Sequence, residues 1–469
     1  MRARIRKIQF GGGPIAAAVL IAACSVDDVE LGATDPVVSD SEGDSSPTPD
    51  AGPAVDARPP FDPSAETVTC TAEPCAVELV AGENHFCARM SDGTARCWGD
   101  DFWGQLGRGD AEEPIEPGSI PPVVDLSDAV QISAAGRATC ALLANGAVSC
   151  WGSNLLGELG LHAEPPFEDF DRHPVPSPVA LDGAIATRVE VGIDSACAAL
   201  TTGELACWGG TQELKLARSD VWDRGFPAVV GPGNAEVDAS AYTKTFVSSK
   251  TTLALTKTGE VFSWGAIAGT DGIVSGRISS VSPSLTPKRV EELSNVTSVA
   301  VSALLERQPS DPNQRPGGPG FAVESYGHAC AIANGEVFCW GKSFHGALCT
   351  GLPDSEPVPK LAPTVGPAWP QQITVGDETT CVRMSDGAVQ CCGENTNGAL
   401  ATGSAKGFSG VFVRASAFKS HAVHVVASRA SVCALVQGGT VECWGSNANG
   451  ELGRAPDNGA YATPVKITF

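Results

Sequence analysis

The chain returns repeatedly to one phrase, a Val- and Ala-rich run, a short Gly turn and then Cys-Trp-Gly, and this recurrence constrains the fold more than any other feature. Copies read VELVAGENHFCARMSDGTARCWG at 77–99, VQISAAGRATCALLANGAVSCWG at 130–152, VEVGIDSACAALTTGELACWG at 189–209 and VHVVASRASVCALVQGGTVECWG at 423–445. Counted by Trp-Gly or its substitute there are seven, at Trp98, Trp151, Trp208, Trp264, Trp340, Cys392 and Trp444, so six of the nine Trp occupy one motif position. A unit this short cannot bury its apolar face alone, and stacking against like neighbours solves that problem.

Alternating residues on either side of a Gly turn make each copy a β-hairpin, and runs such as Pro121-Pro122-Val123-Val124 and Ser177-Pro178-Val179 supply further strands. Four short strands per period, with residues 67–469 shared among seven units of about 58 residues, predict an all-β, seven-bladed propeller of four-stranded blades. The first copy lacks an upstream Pro-x-Val run, and Pro464-Val465-Lys466-Ile467 ends the chain with no blade after it. The expectation is that strands from the two ends pair within one blade and so close the ring. Ser91-Asp92-Gly93-Thr94 and Ser385-Asp386-Gly387 are read as hairpin turns of type I′, the geometry that Asp-Gly favours.

Cys-Ala-Leu, Gly-x-Val-x-Cys-Trp-Gly and then Ser-Asn-x-x-Gly-Glu-Leu-Gly, as at 153–160 and 446–453, or Gly104-Gln105-Leu106-Gly107, resemble the regulator of chromosome condensation repeat. The resemblance covers nearly all of 67–469 and implies the propeller independently. It departs from the pattern after the Trp-Gly of copies three to five, where Gly209-Gly210-Thr211-Gln212, Gly265-Ala266-Ile267-Ala268 and Gly341-Lys342-Ser343-Phe344 stand. The family name also implies nucleotide exchange on the small nuclear GTPase Ran. An export signal, paired Cys and the lack of a basic tail leave that role as fold analogy only.

Cysteine spacing sets this chain apart. With Cys24 set aside, sixteen of the seventeen Cys remain, and twelve fall into hairpin pairs: Cys87 with Cys97, Cys140 with Cys150, Cys197 with Cys207, Cys330 with Cys339, Cys381 with Cys391 and Cys433 with Cys443. Copy four has Leu253 and Ser263 at the two positions, so both Cys are missing together. Joint loss is what a covalent pair predicts, and disulfides require an oxidising compartment. Cys349 and Cys392 are placed to bridge neighbouring blades, leaving Cys70 and Cys75 to close a local loop, although four Cys allow three connectivities. Their spacing does not suit a zinc site.

Met1 to Ala23 reads as an export signal, with Arg2, Arg4, Arg6 and Lys7 ahead of an apolar run from Pro14 to Ala23. Leu20-Ile21-Ala22-Ala23-Cys24 resembles the bacterial lipobox, which implies that Cys24 carries a lipid and becomes the first residue; an ordinary cleaved signal is the alternative. From Ser25 to Glu66 there are 11 acidic residues and one base, Arg58, among Pro, Ser, Gly and Ala. Such a stretch cannot bury enough surface to offset its ordering entropy, so 24–66 is expected to be a disordered stalk following the signal at 1–23. The expected location is the bacterial envelope, anchored through Cys24 at the outer membrane or cell surface.

Charge and motifs narrow the functional classes. A formal net charge of −23 disfavours nucleic acid, whose binding draws on Lys and Arg displacing counterions. The seven His, at 85, 162, 173, 328, 345, 421 and 424, form no His-Glu-x-x-His run, and neither a phosphate loop nor a Gly-x-Ser-x-Gly elbow occurs. His85 and His328, two residues before a blade Cys, are assigned to hairpin packing. No catalytic residue, cofactor or metal site is expected.

Added length is the remaining signal. Copy four gains about eight residues around Tyr242 to Ser249 and copy five roughly twenty at Leu304 to Gly320, both read as falling in the same loop of adjacent blades and so on one face. Tyr242, Lys244, Phe246, Arg307, Asn313, Arg315 and Phe321 are the candidate binding residues. The expected function is a monomeric, non-catalytic module that binds a protein or glycan outside the cytoplasm. A hydrolase or lyase acting on an extracellular polymer is the alternative, and it requires acids or His clustered at one mouth of the ring.

Overall fold

The computed structural model describes residues 61, 62, 64, 66–109, 119–161, 168–211, 214–217, 225–230, 242–266, 274–278, 284–303, 305–307, 324–351 and 355–469. The predicted export signal, Cys24 and most of the predicted stalk lie outside these residues. Seven antiparallel sheets follow one another along the chain, each built from strands consecutive in sequence. In blade two the strands run Ala129–Ala135, Ala138–Leu143, Val148–Asn154 and Asp169–Pro178, from the inside of the ring outward. Each innermost strand packs against that of the next blade, and the last, Ala422–Ala427, packs against the first, Ala76–Ala81. The chain is a seven-bladed propeller, and none of the described residues is α-helical.

In five blades the Trp of the Trp-Gly phrase fastens the blade to the one before it. The indole N–H of Trp151 donates to the Gln105 carbonyl (3.0 Å), that of Trp208 to Glu158 (2.9 Å), that of Trp340 to Val274 (2.8 Å), that of Trp444 to Ala399 (2.8 Å) and that of Trp98 to Glu451 (2.9 Å). The acceptor lies each time in the loop after the third strand of the preceding blade. All six Trp are at most 2% exposed, so the core sits between blades, with a polar anchor at its edge. The Gly that follows must be Gly. Gly99 has φ +108°, and a Cβ there would lie 2.4 Å from the Asn84 carbonyl oxygen, the acceptor that Asp100 N–H needs. Within the loop, the Asn of Ser-Asn-x-x-Gly-Glu-Leu-Gly accepts from the Leu N–H, as Asn154 does from Leu159 (3.1 Å) and Asn447 from Leu452 (3.0 Å).

Eight disulfides are present. The hairpin pairs are Cys87–Cys97, Cys140–Cys150, Cys197–Cys207, Cys330–Cys339, Cys381–Cys391 and Cys433–Cys443, and the other two bridges are Cys70–Cys75 and Cys349–Cys392. In each hairpin the partners stand directly opposite one another: Cys207 faces Cys197, Cys391 faces Cys381 and Cys443 faces Cys433. All the predicted pairings therefore hold, including that of Cys70 with Cys75. In blade four Leu253 faces Ser263, whose hydroxyl accepts from Arg277 Nε (2.7 Å).

Two expectations are corrected. The ends do not share a blade: the C-terminal strand Ala460–Lys466 pairs with Val441–Ser446, and all four strands of blade seven come from one stretch. The reason is that every Pro-x-Val run pairs backward, onto the hairpin before it. Val123 N–H donates to Ala95, Val179 to Val148 and Ile467 to Val441, while the fourth position of blade one is held by the bridge between Arg96 and Pro122. The ring instead closes by packing and by the N-terminal segment, where Thr69, Thr71 and Ala76 donate backbone N–H groups to Gln437, Gly438 and Gly439 of blade seven. The hairpin turns at Ser91 and Ser385 are not type I′ either. In the first only Gly93 is left-handed (φ +81°), Gly93 N–H reaching Met90 and Asp92 Oδ1 accepting from Thr94. Blade five alone among the Cys-paired hairpins has two left-handed turn residues, Asn334 (φ 52°) and Gly335 (φ 77°), between the paired Ala333 and Glu336. That shorter turn explains why Cys330 and Cys339 are nine residues apart and the other hairpin pairs ten.

Candidate binding face

The turns joining first and second strands of all seven blades surround one mouth of the central channel, among them Glu83, Arg137, Asp194, Ala303, Asp377 and Arg429. Charges there pair around the rim: Arg429 reaches Asp377 (3.4 Å) and Glu83 (3.5 Å), and Glu83 also holds Arg137 (3.0 Å). Deeper in, the wall is polar, but its side chains serve the neighbouring strands. Gln131 grips the backbone of Val189 through both amide atoms (2.8 and 3.0 Å), and Gln372 does the same at Val425 (2.8 Å each). Glu78 is held by Arg89 (2.8 Å) and the Ile132 N–H (3.2 Å), and Glu190 by Arg188 and Thr245. Burial raises both carboxyls above their ordinary range. Burial likewise lowers the wall residue His424 to about 4, helped by Lys244 and Arg383. These groups hold the ring together.

A different arrangement stands on the same face at the boundary of blades five and six. His345, in the loop after the third strand of blade five, places Nδ1 3.0 Å from Glu378 Oε2 and 2.7 Å from Glu394 Oε2. Glu378 follows the innermost strand of blade six and Glu394 ends its third, and Glu394 N–H donates to the Glu378 carbonyl (2.9 Å). Burial pushes the Glu394 carboxyl up, but bonds from Thr396 and the charge of His345 outweigh it and leave the group below its ordinary value. Phe344 packs edge-on to the imidazole (4.2 Å) and Tyr326 edge-on to Phe344 (5.3 Å), while Phe408, 63% exposed, lies 5.7 Å from His345. Blade five also carries an extra strand here, Leu305–Arg307, paired with a second strand lengthened to Glu324–Ala333.

A family model described as the regulator of chromosome condensation (RCC1) repeat matches residues 76–105, 129–158 and 371–399, each running from an innermost strand into the loop after Trp-Gly or its substitute. Blades one, two and six each carry one of these stretches. It is 26% identical over 390 residues to the ultraviolet-B receptor UVR8 of Arabidopsis thaliana, covering 82% of this chain and 80% of that one. It is 26% identical over 341 residues to the human E3 ubiquitin-protein ligase HERC2, 70% of this chain but only 6% of that protein. The crystal structure of Prp20p from Saccharomyces cerevisiae has the same fold, with a TM-score of 0.61 at 17% identity over 86% of this chain and 88% of that one.

Within this ring the predicted binding residues part company. Tyr242, Lys244 and Phe246 are in the innermost strand of blade four, Tyr242–Val247, and not in an inserted loop. Tyr242 is buried against Trp264, and Lys244 lies over the Phe246 ring (5.2 Å) in the channel wall. The turn at 248–250 is as short as that at 82–84, so the extra residues of copy four fall elsewhere. Arg307 ends the extra strand of blade five, whereas Asn313, Arg315 and Phe321 lie outside the described residues. His85 and His328 also reach neighbouring blades: His85 Nε2 bonds Thr139 Oγ1 of blade two and His328 Nε2 bonds Thr380 Oγ1 of blade six, both at 2.8 Å, and burial lowers each to about 3. His345, Glu378 and Glu394 escape a reading of the sequence because they belong to two repeats, and no local spacing joins them.

Proposed function

We propose that this RCC1-repeat propeller is a non-catalytic binding module, held in the bacterial cell envelope through Cys24, that engages a protein partner with the mouth face of blades five and six. The observation that carries this reading is the extra paired strand Leu305–Arg307 of blade five, set beside the exposed Phe408 and the aromatic group around His345. Recognition surfaces are built of loops held on a rigid scaffold, with aromatic anchors at their centre. The channel offers less, since its polar groups are bonded to adjacent strands. Related propellers are known by protein contacts, Prp20p for binding to Gsp1p and histones.

Eight disulfides favour an oxidising compartment. The start of the described chain packs onto blade six. Phe61 packs against Trp369 (5.6 Å), and Gln371 Nε2 donates to the Asp62 carbonyl, both on the face away from the channel mouth.

The alternative, a hydrolase or lyase acting on an extracellular polymer, has one observation in its favour, the His345, Glu378 and Glu394 cluster on the mouth face. Photo-crosslinking separates partner binding from its absence. A photoreactive residue at Phe408 in the full chain should give a discrete protein adduct in envelope fractions, and one at Val365 on the opposite face should not. Equal labelling from both faces, or none from Phe408, would overturn the binding reading.

A further inference from the structure

We infer that the boundary of blades five and six is a binding site for one divalent transition-metal ion, held by His345 Nδ1, Glu378 Oε2 and Glu394 Oε2. The inference does not depend on the partner-binding reading. The three donor atoms lie within 4.8 Å of one another, and this is the one such group of His, Cys, Asp and Glu among the described residues. Two carboxylates are aimed at a single ring nitrogen, at 3.0 and 2.7 Å. Two acidic groups thus converge on one imidazole. A divalent ion between them answers both charges at once, and one imidazole with two carboxylates is a donor set suited to Zn2+ and similar ions.

The donors are held from behind, as metal ligands are. Glu394 Oε1 accepts from the N–H groups of Thr396 (2.7 Å) and Asn395 (3.1 Å), which leaves Oε2 to face the imidazole. The Glu394 N–H to Glu378 carbonyl bond ties their backbones together. Across the boundary, Cys349 lies four residues after His345 and Cys392 two before Glu394, and their disulfide fixes the spacing of the two halves. Side-chain exposures of 30% for His345, 12% for Glu378 and 14% for Glu394 describe a site reached from solvent but not spread over the surface. Three protein ligands leave a fourth position for water or for a donor from a bound molecule.

The test uses the full disulfide-bonded chain after chelator dialysis, titrated with Co2+ and then with Zn2+. One Co2+ per chain should bind with visible d–d absorption and be displaced by Zn2+, and Zn2+ should raise the wild-type melting temperature. His345→Asn and Glu394→Gln should each weaken binding about 100-fold or more, beyond the loss expected for an orienting partner alone. His173→Gln, which breaks a half-buried His–Asp pair elsewhere in the ring, should bind like wild type. If a variant melts early without metal, the isosteric Glu378→Gln and the wild-type melting shift decide. No saturable binding by wild type, or unchanged binding by the ligand variants, would overturn the inference.

Discussion

Cys392 is bonded to Cys349 of the preceding blade, in the motif position from which Trp indoles elsewhere in the ring reach back to the blade before them. Blade six is the copy without a Trp, and a covalent bond there does the work of the hydrogen bond. Cys392 Sγ also lies 3.4 Å from the Gly346 carbonyl, beside the Ala347 carbonyl to which Thr380 Oγ1 donates (2.7 Å). The substitution keeps the same two blades joined at the same loop.

Replacing Cys349 and Cys392 together by Ser should therefore cost more than removing a hairpin pair. The bridge spans 43 residues and the Cys140–Cys150 pair only ten. Chain entropy gives about 4 kcal/mol for the longer loop and about 3 for the shorter. Denaturant unfolding of the two double variants against wild type measures the difference, and an equal loss would show that the bridge adds nothing as a staple between blades.

The indoles themselves can be ranked. Trp151→Phe removes the N–H that serves the Gln105 carbonyl, at an expected cost of about 1–2 kcal/mol. Trp264 Nε1 is buried without a partner among the described residues, while Thr252 Oγ1 donates to the Lys215 carbonyl (2.6 Å) in the adjoining loop. Trp264→Phe should accordingly cost less than Trp151→Phe, since only packing is lost. Equal destabilisation of the two variants would show that ring volume, and not the hydrogen bond, is what matters.

The fold is legible because every repeat states it in full: the hairpin, the paired Cys and the Gly whose Cβ would meet a carbonyl are all local. Ring closure is not, because a Pro-x-Val run looks the same whether it pairs forward or backward, and only the Val123 to Ala95 bond decides. Tyr242, Lys244 and Phe246 read as a loop because copy four has lost the Cys that set the register elsewhere. The group at His345 joins residues 33 and 49 positions apart in two blades, so the stacking of neighbouring blades creates it and the pattern of one repeat cannot contain it.

Acid should loosen the ring through its buried histidines. His85 and His328 titrate at about 3 in the folded chain, against an ordinary value of 6.5. Between those values the unfolded chain binds protons that the folded chain refuses, so stability present above pH 6.5 is lost as pH falls toward 3. At pH 4.5 each His should cost about 2–3 kcal/mol. Burial raises the carboxyls of Glu158 and Glu190, which act in the opposite sense, so the histidine share is the difference between wild type and the His85→Gln, His328→Gln double variant. Urea unfolding at pH 7.5, 6 and 4.5 should show a shallower acid decline for the variant. Parallel pH curves would mean that the two rings are not the proton-linked groups.

The last prediction concerns how the N-terminal segment holds the ring. Glu66 lies across blades six and seven, with Oε1 3.1 Å from Arg383 Nη1 and Oε2 2.6 Å from His421 Nε2. The Arg383 side chain is only 3% exposed, and burial, its largest influence, lowers its pKa despite the neighbouring carboxylate. Truncating Glu66 leaves that guanidinium buried without its counter-charge, at a cost of about 1.5–3 kcal/mol. Glu66→Ala alone mixes this penalty with lost packing, so a double-mutant cycle with Arg383→Met is the decisive measurement. A coupling of about 1–3 kcal/mol would show that the segment ahead of the first strand is part of the folded ring. It would also mean that force applied through an upstream tether is borne first at blades six and seven. Coupling near zero would make the segment a passive lead-in and leave closure to the packing of Ala76–Ala81 against Ala422–Ala427.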